Sequence, residues 1–81
     1  MREQIRKFIT DNFLFGADSG LSDDDSLLEK GIIDSTGVLE LVGFIEENFH
    51  VAVKDDELLP ENLDSVNRLS VFITRKTAEA A

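Results

Sequence analysis

Eighty-one residues at 9.0 kDa give one small domain, residues 1–81, with no room for a second core. The absence of Cys excludes disulfides and thiolate zinc sites, and a single His leaves imidazole metal chemistry without partners, so no metal site is expected. Hydrophobic content of 42% describes a folding chain, while seventeen acids against eight bases set a net charge of −9.

The charge is unevenly spread. Residues 18–61 hold thirteen acids and only Lys30 and Lys54, a local balance of −11, whereas each flank holds three bases and two acids. A field of that sign repels phosphate backbones and anionic lipid, which argues against nucleic-acid and membrane-surface roles. It steers the middle of the domain toward basic patches on other proteins. The longest apolar run, Leu41 to Ile45, is far short of the ~20 residues that a membrane helix needs. No basic-then-apolar signal segment opens the chain, so a cytoplasmic protein is expected.

Apolar spacing predicts a first helix from about Arg2 to Phe15, with Ile5, Phe8, Ile9 and Asn12 on one stripe and Gly16 as its stop. Residues 16–33 read as a long connection, tied across the core by Leu21, Leu27, Leu28, Ile32 and Ile33, with a short helical turn at Ser26–Lys30. The best helix signal starts at Asp34-Ser35: Val38, Leu41, Val42, Ile45 and Phe49 share one arc, and Thr36, Glu40, Gly43 and Glu47 the opposite one, with Leu39 at its edge. Asp34 or Ser35 caps it. Lys54–Leu59 predicts a single turn that stops before Pro60. Asp64-Ser65 opens a last helix to about Lys76, with Val66, Leu69 and Ile73 inward, Phe72 at the flank, Arg75 and Lys76 near the negative dipole end, and residues 76–81 as a fraying tail. The fold class is all-α, a small bundle with one long first loop.

Little here supports catalysis. His50, beside Phe49 and Val51, reads as a boundary residue at the end of the second helix, and Ser35 has no base partner in the sequence beyond Asp34. Asp18 and Glu29 are spaced as the ends of a twelve-residue calcium loop, but Gly20 and Asp23 then fall where a ligand and an obligatory Gly are needed. The hydroxyl of Ser35 lies at a helix start, where free N–H groups and the dipole suit a phosphate. Local physics alone favours an ordinary N-cap serine.

The series Gly31-Ile32-Ile33-Asp34-Ser35, Val38-Leu39-Glu40-Leu41, Glu46-Glu47-Asn48-Phe49 and Pro60-Glu61-Asn62-Leu63-Asp64-Ser65 resembles the acyl carrier and peptidyl carrier protein family over nearly the whole chain. The resemblance implies a four-helix carrier bundle with 4′-phosphopantetheine joined to Ser35 through a phosphodiester, Asp34 being the motif neighbour. A phosphopantetheinyl transferase would supply this arm from coenzyme A, and its thiol would hold an acyl or aminoacyl cargo as a thioester. The docking face implied is Thr36, Leu39, Glu40, Gly43 and Glu47, and the partners implied are an activating ligase and downstream transferases with basic patches. A monomer is expected.

Thr36 replaces a larger apolar residue common in the family, Gly37 stands where fatty-acid carriers show Asp, and Gly43 stands where they carry an apolar contact. Those departures resemble discrete carriers loaded by adenylate-forming ligases. The alternatives are a carrier of fatty-acid synthesis and an unmodified helical adaptor that binds through its acidic face.

Overall fold

The computed structural model describes residues 1–14 and 20–80. Among them lie four α-helices and no strand: α1 Arg2–Phe13, α2 Ser35–Phe49, α3 Pro60–Leu63 and α4 Val66–Ala80, with a 3-10 turn at Asp55–Glu57. This is the expected all-α bundle. Helix α4 packs against the other three, and α1 also packs against α2. Ile5 and Ile9 of α1, Leu41 and Ile45 of α2, and Val66, Leu69, Phe72 and Ile73 of α4 fill the core, closed by Leu21, Leu27, Ile33, Val51 and Leu63 from the connections. The same period that places these residues inward makes the helices amphipathic, so burial rather than intrinsic propensity holds them.

Several expectations are corrected. Helix α1 ends at Phe13, with Leu14 as its cap; Phe15 and the proposed stop at Gly16 lie outside the described residues. Asn12 is exposed, its amide donating to the Phe8 carbonyl, so the apolar stripe stops one turn earlier. Leu28 is exposed too, on the outside of a turn whose inner position Leu27 fills. Phe72 is buried, not at the flank, on the helix against which α3 packs. Helical geometry continues to Ala80, so Arg75 and Lys76 do not lie in the last turn. Pro60 opens α3 at its first position, where the missing N–H costs nothing and the fixed φ suits the helix.

The long connection is stapled to both ends of the bundle. Arg6 donates to the Leu21 carbonyl and forms an ion pair with Asp23. The Asn67 N–H donates to the Asp23 carbonyl at 2.9 Å and its side chain to Asp24, while Lys30 pairs with Asp25 at 3.2 Å. Three acids of the loop are therefore committed within the molecule.

Candidate functional site

The start of α2 is built by the turn that precedes it. Lys30 N–H donates to the Ser26 carbonyl, closing the helical turn that the sequence predicts. Gly31, at φ +68°, then reverses the chain, with Ile32 N–H bonded to the Leu27 carbonyl and Gly31 N–H to that of Leu28. This is the Schellman pattern, which calls for a left-handed residue at the Gly31 position. The reversal buries Ile33 and delivers Asp34 in extended geometry to cap α2. Asp34 Oδ1 accepts the Gly37 N–H at 2.9 Å, and its carbonyl accepts the Val38 N–H at 3.0 Å.

Asp34 is thus the cap, and Ser35 is the first helical residue. The Ser35 hydroxyl is exposed and has no hydrogen-bond partner among the described residues; the backbone N–H groups of Ser35 and Thr36 have none either. The second Asp-Ser pair divides its work the other way. Ser65, 3% exposed, accepts the Arg68 N–H and caps α4, while Asp64 reaches across to Ser26 and Leu28. Of two identical dipeptides at two helix starts, only the first leaves its hydroxyl free.

Gly37 is buried at this corner as well. A Cβ there would lie 3.0 Å from Phe13 Cε1 and 3.3 Å from Ile33 Cγ2, so α1 and the loop approach α2 where a side chain is missing. The hydrophobic pattern missed this, since glycine carries no signal of its own. Beside the corner, an apolar cleft of about 90 Å³ lies among Leu27, Ile33, Val38, Leu58, Leu59 and Leu63.

Thr36, Leu39, Glu40, Gly43 and Glu47 all lie on the solvent side of α2, Leu39 being 64% exposed. Glu46 differs from its neighbours, because its carboxylate accepts the Val53 N–H at 2.9 Å and pins the chain after α2. Glu57 is also internal, paired with Lys76 at 2.9 Å and accepting the Lys54 N–H. Lys76, then the backbone N–H of Lys54, hold its carboxyl below the usual range. The Ser22 N–H, then Lys30, do the same for Asp25. His50, exposed and left-handed at φ 56°, caps the C-terminus of α2. Among the described residues no group of three or more His, Cys, Asp or Glu could hold a metal; Asp18 lies outside them.

No protein-family model matches the chain. It is 27% identical over 78 residues to the probable acyl carrier protein PigG of Serratia sp. (strain ATCC 39006), spanning 96% of this chain and 90% of that one. That likeness, over nearly the whole of both chains, supports an acyl carrier family for this one. A carrier of this kind is not an enzyme. The chain is also similar to one in a solved structure described as "Crystal structure of FAD-dependent dehydrogenase", with a TM-score of 0.75, 32% identity, and 84% of this chain and 96% of that chain covered. No helix among the described residues is long and apolar enough to cross a membrane.

Proposed function

We propose that this carrier holds its cargo on a 4′-phosphopantetheine arm attached to Ser35 and presents it to partner enzymes. The observation that carries this reading is the free, exposed hydroxyl of Ser35 beside the unpartnered N–H groups of Ser35 and Thr36, with Asp34 already capping the helix. The residues present fit the group: free amides at a helix start suit a phosphodiester, and the neighbouring cleft is apolar. When attached, the arm supplies the thiol that this cysteine-free chain lacks, and it raises the effective concentration of cargo at a docked active site.

The cleft of about 90 Å³ favours a small cargo. Its small size suits an aminoacyl or other short acyl group better than a long chain. This supports loading by an adenylate-forming ligase in a specialised pathway over fatty-acid synthesis. Ligase and downstream enzymes would meet Thr36, Leu39, Glu40, Gly43 and Glu47 through basic patches in the cytoplasm. The description of the similar solved structure adds a flavin-dependent dehydrogenase to the downstream partners worth testing.

Intact mass before and after incubation with coenzyme A and a broad-specificity phosphopantetheinyl transferase tests the site. The wild type and Ser65→Ala should each gain one phosphopantetheine, and Ser35→Ala none. A loaded Ser35→Ala, or a folded, unmodified wild type that gains nothing, refutes the reading and turns it toward the adaptor.

A further inference from the structure

We propose that the groove between α3 and α4 is a second docking surface, and that it takes an acidic element of a partner protein with an apolar side chain between two carboxylates. The groove has a volume of about 550 Å³ and is walled by Leu59 and Asn62 on one side and Val71 and Phe72 on the other, with Arg68 and Arg75 at its margins. Arg68, Val71 and Arg75 fall three and four residues apart on α4, so they share one helical face. Val71 is 65% exposed at its middle.

The charge state of this face suits an acidic partner. Arg6, Lys7, Lys30 and Lys76 each pair with a carboxylate of the chain. Arg68 and Arg75, like Arg2 and Lys54, pair with none among the described residues, in a protein of net charge −9, but these two flank one groove. Their contacts are to neutral groups: Arg68 Nη1 donates to the Pro60 carbonyl at 3.3 Å, Arg75 Nη2 to Asn62 Oδ1 at 3.4 Å, and the Arg75 guanidinium lies 5.5 Å from the Phe72 ring centroid. Glu61, on the α3 rim, forms an ion pair with neither.

Those contacts orient both guanidinium groups and leave most of their five N–H donors unmet. Each is ready for a bidentate carboxylate. Seven residues along a helix is a rise of about 10.5 Å, so the matching surface carries two carboxylates at that separation around an apolar residue that fills the groove beside Val71. Helix α2 displays the opposite sign, with Glu40 and Glu47 likewise seven apart. A partner that reads both faces receives the carrier in one orientation, which is what charge complementarity fixes best.

The test is an amide-resolved NMR titration of the full chain with a helical peptide bearing two glutamates two turns apart around a leucine. Perturbations should cluster at Leu59, Asn62 and residues 68–75 and weaken with added salt. Arg68→Gln/Arg75→Gln should lower affinity at least about tenfold, roughly the loss of one charge-assisted hydrogen bond. Val71→Glu, which offers both arginines a carboxylate within the same helix, should do likewise while keeping the wild-type Tm. Perturbations confined to α2, equal binding of a lysine version of the peptide, the same shifts from inorganic phosphate alone, or shifts that appear on concentrating the protein without peptide would each overturn the proposal.

Discussion

Asp64 accepts the Ser26 hydroxyl and the Leu28 N–H through its two carboxylate oxygens, joining positions 38 and 36 residues apart. The Ser26 hydroxyl in turn accepts the Glu29 N–H at 3.1 Å, so the turn that leads into α2 is held from the start of α4. Asp64→Ala removes a charged acceptor from two donors and should cost about 2 kcal/mol. Denaturant unfolding measures the loss, and amide exchange should quicken at Leu28 and Ile32 while the α4 core stays protected.

The two Asp-Ser pairs should respond in opposite ways. Ser65→Ala and Asp34→Ala each remove a cap and should destabilise by about 1 kcal/mol, whereas Ser35→Ala should leave stability unchanged. Thermal unfolding of the three variants checks this, and a Ser35→Ala loss equal to that of Ser65→Ala would assign a structural role to that hydroxyl.

Gly43 lies in the middle of α2 with open space where a Cβ would project. Gly43→Ala should therefore stabilise by about 1 kcal/mol. Gly37→Ala should fall short of that gain, because Phe13 and Ile33 must move aside. Side-by-side denaturation of the two variants resolves the difference.

The Glu57–Lys76 pair predicts a pH dependence. The carboxyl of Glu57 titrates lower in the fold than in the unfolded chain, so its contribution is present above the ordinary glutamate range and is lost as pH falls from that range through the lower folded-state value. The stability difference between wild type and Glu57→Gln should be constant near neutrality and shrink from about pH 4.5 downward. A difference that grows on acidification would contradict the pairing.

Reversing the acids on the exposed side of α2 tests docking. Glu40→Lys and Glu47→Lys should each lower kcat/KM of the loading reaction several-fold at low salt, with the difference fading as salt screens it. Neither side chain supports the fold, so Tm should hold. Unchanged kinetics in both variants would remove these residues from the docking surface.

What the sequence made legible was periodic or local. The inward residues of α2 and the start of α4 follow from spacing alone, and Gly31 to Ser35 marks the corner by resemblance. Which serine caps its helix was not legible, since either hydroxyl suits either role; the answer depends on Asp64 finding Ser26 far along the chain. The acids of the first loop read as a solvated, partner-seeking run for the same reason. Asp23 meets Arg6 and Asp24 meets Asn67 at separations of 17 and 43 residues, contacts that no local pattern announces. Phe72 was misjudged because its burial depends on which neighbours cover it, and Gly37 carried no signal of burial at all.

The stapling of the first loop by α4 has a consequence for the order of events on the ribosome. The carbonyl and carboxylate of Asp64 and the N–H of Asn67 hold Leu27, Leu28 and Asp23. A nascent chain that has reached only the end of α2 contains the Asp34-Ser35 corner but none of these supports. During synthesis at about 5–20 residues per second, the corner waits for residues 64–67 to emerge before its leading turn is secured, so the mature presentation of Ser35 is a late product of translation.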